Sequence, residues 1–107
     1  MSVISEKYAV IDSDGCFLYF DMGAPSYDTV AKKSGLVPTI DKARKLIEKA
    51  LEFPKNRLEY FKNQKSLPAE ERCWDPSTIV QHWIPKYEEE IRNPPVLRIV
   101  KITIETV

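Results

Sequence analysis

The chain has 107 residues, of which 43% are hydrophobic and 30% charged, with only three glycines. That is the size of one ordinary domain with enough apolar residues for a packed core, so disordered, low-complexity and collagen-like classes are excluded. Sixteen basic residues balance sixteen acidic ones, so the chain lacks the basic excess usual in nucleic-acid-binding domains.

The zero net charge is unevenly distributed. Residues 1–31 hold one lysine against five acids, residues 32–65 hold ten basic residues against four acids, and residues 66–107 hold five against seven. A basic middle between acidic ends fits a nucleic-acid surface, internal charge complementarity or a contact between two copies of the chain. Cys16 and Cys73 stand far apart in apolar surroundings and read as two reduced, partly buried thiols. No window approaches the roughly 20 apolar residues of a membrane span. The opening residues lack the basic and apolar regions of a signal peptide. The expected compartment is the cytoplasm, with no membrane partner.

In chain order, residues 7–11 and 16–20 are rich in β-branched and aromatic side chains, and Asp12-Ser-Asp-Gly15 separates them. This predicts a β-hairpin. Gly23, Pro25, Gly35 and Pro38 punctuate an irregular stretch that suits a functional loop, with a short extended piece at 35–38. Thr39 is a good N-cap for a helix whose apolar face is Ile40, Ala43, Leu46, Ile47, Ala50 and Leu51, and Pro54 is expected to end it. A second short helix is expected over 56–64 with Leu58 and Phe61 inward. Asp75 and Pro76 form the opening of a further helix that runs toward Ile91, kinked or divided by Pro85. After Asn93-Pro-Pro95, the alternation of Val100, Ile102 and Ile104 with Lys101, Thr103 and Glu105 predicts a strand with one solvated face. The expectation is one α+β domain over residues 1–107. Its small antiparallel sheet, made of the N-terminal hairpin and the C-terminal strand, packs against two or three helices.

The residues Tyr8-Ala-Val-Ile-Asp-Ser-Asp-Gly-Cys-Phe-Leu-Tyr-Phe20, then Pro38-Thr-Ile-Asp-Lys-Ala43, then Arg98-Ile-Val-Lys-Ile-Thr-Ile-Glu105 resemble small accessory proteins encoded by bacteriophages. The resemblance covers residues 7–50 and 96–106. It implies a protein of the bacterial host cytosol that binds and blocks a host factor; some such proteins bind small nucleotides. It assigns no functional residue.

No nucleophilic, metal or phosphate-binding pattern emerges from the residues. Cys73, Asp75 and the lone His82 lack any local nucleophile signature. Two cysteines and one histidine without paired spacing do not make a zinc ligand set, and Asp12-Ser-Asp-Gly15 is a turn, its glycine too early for a calcium loop. The run Glu88-Glu-Glu90 diverges in direction on a helix and reads as a solvated face. No catalysis and no cofactor are expected.

Two surfaces remain. Tyr19, Tyr27, Trp74 and Trp83 are amphipathic aromatics of a kind that at these spacings mostly fills cores but is also enriched at interface hot spots, and the segment 22–27 is placed to present one of them. Lys55, Arg57, Lys62 and Lys65 bracket Tyr60 and Phe61, a mixture of cations and rings that suits phosphate contact with base stacking. The favoured expectation is stoichiometric binding to a host protein by a homodimer built through an exposed strand edge. The alternatives are nucleic-acid binding through residues 42–65 and sequestration of a small nucleotide.

Overall fold

The computed structural model describes residues 3–106, and the side chains of residues 4–105. Four strands, β1 (Val3–Ile11), β2 (Phe17–Asp21), β3 (Ala24–Asp28) and β4 (Arg98–Thr106), form one antiparallel sheet in the order β3-β2-β1-β4. The helices are α1 (Ile40–Ser66), α2 (Pro76–Thr78) and α3 (Ile84–Arg92), with a π-helical turn, Ile79–Trp83, joining the last two. The architecture is α+β. The chain divides into two compact units, one up to Ala50 together with Pro95 onward, the other Leu51–Pro94.

In the first unit the predicted hairpin is present, with Ile11 opposite Phe17. The Asp12 carboxylate closes it by accepting from the backbone N–H groups of Asp14 (3.0 Å) and Cys16 (2.9 Å), and Gly15 sits at φ 79. β4 pairs with β1 along its whole length, from Val3 opposite Thr106 to Ile11 opposite Arg98. The extended piece near Pro38 is a single bridge between Tyr8 and Val37. Thr39 caps α1 through its hydroxyl, which accepts from Lys42 N–H at 3.2 Å.

Strand alternation gives the sheet two apolar faces. The first carries Tyr8, Val10, Leu18, Phe20 and Ile99, and Ala43, Leu46, Ile47 and Ala50 of α1 pack on it, with Val10, Leu18 and Ala43 fully buried. The second carries Ala9, Ile11, Phe17, Tyr19, Val100, Ile102 and Ile104. The predicted alternation in β4 is therefore present, yet α1 covers the Ile99 face and leaves the Val100, Ile102, Ile104 series on the other.

β3 was hidden in the stretch expected to be irregular. Ala24-Pro-Ser-Tyr-Asp28 has weak strand propensity, and its proline is tolerated because β3 lies at the sheet edge.

The expected helix end at Pro54 is corrected: α1 runs unbroken for 27 residues, and what was expected as a separate helix at 56–64 is its continuation. Pro54 leaves the Ala50 carbonyl without its i+4 donor, a defect of one hydrogen bond. Its ring is buried, and Phe53, Leu58 and Phe61 on the same helix enter one core, so packing outweighs propensity. Pro54→Ala should restore the bond at the loss of a buried ring, raising stability by about 1 kcal/mol, readable as a higher urea midpoint.

The core of the second unit is aromatic. Phe61, Ile79 and Tyr87 are buried, and Phe53, Leu58, Tyr60, Trp74, Trp83 and Ile84 pack around them. Phe61 lies parallel to Trp83 at 5.2 Å between centroids and meets Trp74 edge-on at 5.5 Å. The buried Gln64 accepts from Cys73 N–H at 3.0 Å and so ties the connection after α1 back to that helix. The division expected at Pro85 takes the form of the π turn just before it, where Ile84 N–H reaches back to the Ile79 carbonyl. The wider turn accommodates the ring that an α-helical turn would crowd.

Candidate functional site

The β2–β3 hairpin closes with Asp21 opposite Ala24, leaving Met22 and Gly23 as a two-residue turn. Their φ angles are 52° and 84°, the double left-handed turn whose twist matches a hairpin and which asparagine and glycine occupy without strain. Methionine at the first position carries a backbone penalty of about 1 kcal/mol. Its side chain is also fully solvated, with a relative exposure of 101%. An apolar side chain is thus held in water on a strained backbone.

The four aromatics singled out from the sequence divide between the units. Tyr19 is half-buried in β2, on the sheet face opposite α1, and Tyr27 lies in β3, 37% exposed. Trp74 and Trp83 belong to the ring cluster around Phe61, edge to face at 5.3 Å, and the Trp74 indole N–H donates to the Tyr60 hydroxyl at 3.3 Å. Both are half-buried and occupied by intramolecular packing. Tyr19 and Tyr27 share the β2–β3 hairpin with Met22, and Tyr27 is the exposed one of the two.

The basic set is likewise engaged. The Arg57 guanidinium lies 4.9 Å from the centroids of both Tyr60 and Phe61, Lys55 pairs with Glu52 at 3.4 Å, and Tyr60 is edge-on to Phe61. Lys62 and Lys65 remain exposed. Glu52, Lys55, Glu59 and Lys62 follow one another at three- and four-residue spacing, so charges alternate along that exposed side of the helix.

Cys73, Asp75 and Pro76 line an open cleft of about 450 Å³ with Arg72 and Trp74. His82 is exposed and packs edge-on against the Trp83 ring at 4.6 Å. Among the described residues no hydrogen bond joins it to Cys73 or Asp75. The Asp75 carboxylate instead accepts from the Ser77 and Thr78 hydroxyls at the start of α2. Burial, and then the neighbouring Asp12, Asp14 and Asp28, push the Cys16 thiol up from its ordinary value. Among the described residues no cluster of three or more metal-ligating side chains occurs and no helix is long and apolar enough to cross a membrane.

Two carboxylates are held below their usual range. Asp28 is lowered by the Val30 backbone N–H and then by Lys32, and Asp75 by the Ser77 hydroxyl and then by Thr78. Both contribute stability in full above the ordinary aspartate pKa, and lose it as pH falls through the depressed folded-state value. The urea midpoint should therefore decline on acidification below about pH 4, and the double variant Asp28→Asn, Asp75→Asn should flatten that decline.

Comparison with known proteins finds no matching family model, no matching curated protein and no matching solved structure, so the functional reading rests on these residues.

Proposed function

We propose that the chain acts without catalysis, by stoichiometric attachment to a partner protein through the tip of the β2–β3 hairpin, in the manner of the phage accessory proteins it resembles. The observation that carries this reading is Met22, fully exposed and in the left-handed region. Neither hydration nor backbone energetics favours methionine there, whereas a flexible thioether side chain at a hairpin tip suits insertion into an apolar pocket on another protein. Tyr27, opposite Leu18 in the same hairpin, offers a further amphipathic ring. The partner would be a protein of the bacterial host. The alternating charges of α1 count against the nucleic-acid alternative, because a phosphate backbone needs a continuous basic track.

Capture from bacterial lysate, in parallel with wild-type chain and Met22→Asn and both with and without nuclease, tests the reading. Asparagine relaxes the turn and should raise stability by up to about 1 kcal/mol, while removal of the thioether should weaken retention of the partner by about tenfold or more. A retained protein set that is the same for both chains, or that disappears with nuclease, would refute the assignment.

A further inference from the structure

The two edges of the sheet differ. β3 is five residues long and contains Pro25, features that blunt an edge, whereas β4 is nine residues long, free of proline and in unbroken register with β1. No strand of the described residues lies on the outer side of β4.

The direction of its backbone groups follows from the bridge at Tyr8. Tyr8 N–H donates to the Val37 carbonyl at 2.7 Å and Val37 N–H returns to the Tyr8 carbonyl at 2.9 Å, so the polar groups of Tyr8 point away from β4. By alternation those of Ser5, Lys7, Ala9 and Ile11 point toward β4, where they meet Ile104, Ile102, Val100 and Arg98. The residues between, Ile99, Lys101, Thr103 and Glu105, then direct their N–H and C=O groups outward along an open edge. All but Ile99 are exposed.

An antiparallel copy of β4 fits this edge in several registers, and the side chains choose among them. With Thr103 opposite Thr103 of the second copy, Lys101 faces Glu105 and Glu105 faces Lys101. On the other side of the sheet, Ile102 then faces Ile104 and Ile104 faces Ile102. Centring on Lys101 would oppose two lysines, and centring on Ile102 would set Lys101 against Thr103 and leave its charge unmatched. Within one chain Lys101 pairs with Glu6 at 3.1 Å, and Glu105 has no ion pair among the described residues. The second copy would supply Lys101 to Glu105.

We propose that the chain forms a twofold dimer by antiparallel pairing of β4 with β4 of a second copy, centred on Thr103. Three opposed residue pairs, each exchanging two backbone hydrogen bonds, join the sheets. The charge pairs fix the register, since exposed ion pairs contribute more to specificity than to affinity. Two isoleucines from each chain form an apolar cluster across the axis on the opposite face. The resulting strand order, β3-β2-β1-β4-β4-β1-β2-β3, puts a β2–β3 hairpin at each end, so the dimer carries two copies of Met22. The proposal does not depend on what that hairpin binds.

Sedimentation equilibrium over the micromolar range tests it, with far-UV circular dichroism to verify the fold of each variant. The wild-type chain should dimerise with concentration. Lys101→Glu sets two glutamates opposite each other at both ends of the interface and Glu105→Lys sets two lysines, so each variant alone should weaken the dimer by about tenfold or more. An equimolar mixture of the two should dimerise again, because every opposed pair in the mixed dimer has opposite charges. A wild-type chain that remains monomeric at all concentrations, single variants that dimerise as wild type does, or a mixture that stays monomeric would overturn the proposal.

Discussion

Phe61→Ala is expected to destabilise the second unit by about 3–5 kcal/mol, a large share of the roughly 5–15 kcal/mol that holds a domain of this size together. The reason is geometric. Phe61 is fully buried and stands at the centre of the ring cluster, parallel to Trp83 and Tyr87 and edge-on to Tyr60 and Trp74. Its removal opens a cavity at the centre of the cluster, and the neighbouring rings are too rigid to collapse into the gap. Both tryptophans lie in the cluster, so their fluorescence reports the unfolding directly. A urea midpoint that hardly moved would show that the rings pack loosely and that the second unit is held by something else.

Gly35→Ala is the second large effect. Gly35 ends the short 3-10 turn Lys33–Gly35, is buried, and has an ordinary negative φ, so the demand for glycine there is one of space. A Cβ at this position would lie 2.1 Å from the Leu18 carbonyl oxygen. Leu18 is fully buried and paired with Tyr27 in the β2–β3 ladder, so its backbone has no room to retract. A loss of about 2–3 kcal/mol is expected. Gly15→Ala makes the contrast: that residue has φ 79 and nothing within 4 Å of its Cβ position, so only backbone strain of about 1 kcal/mol applies. Equal losses at the two positions would show that the close approach of the 3-10 turn to β2 is relieved by movement.

The strands flanking Asp12-Ser-Asp-Gly15 and the C-terminal strand were legible because alternation and turn chemistry act locally. The capping of α1 by Thr39 was legible for the same reason. Pro54 misled because its local cost is real, while the burial of its own ring and of Phe61 seven residues on is a tertiary effect that propensity does not contain. β3 was hidden by Pro25, which is a poor strand former except at an edge, and no local pattern states that the strand will be an edge. The aromatics Trp74 and Trp83 carry the same residue types whether they anchor a partner or fill a core. Only their packing on Phe61, Trp83 parallel at 5.2 Å and Trp74 edge-on at 5.5 Å, distinguishes the two uses. The segment 22–27 reads from sequence as a loop able to present one of the aromatics. The signal for Met22 itself was the Met-Gly pair between two strands, which becomes telling once both residues have positive φ.

A photo-crosslinking amino acid at position 22 asks whether the hairpin tip touches a protein. One covalent adduct with a single protein in bacterial lysate is expected, insensitive to nuclease and competed away by excess wild-type chain. A stoichiometric partner that is captured but never crosslinked from position 22, or adducts that form only with nucleic acid, would contradict attachment through this tip.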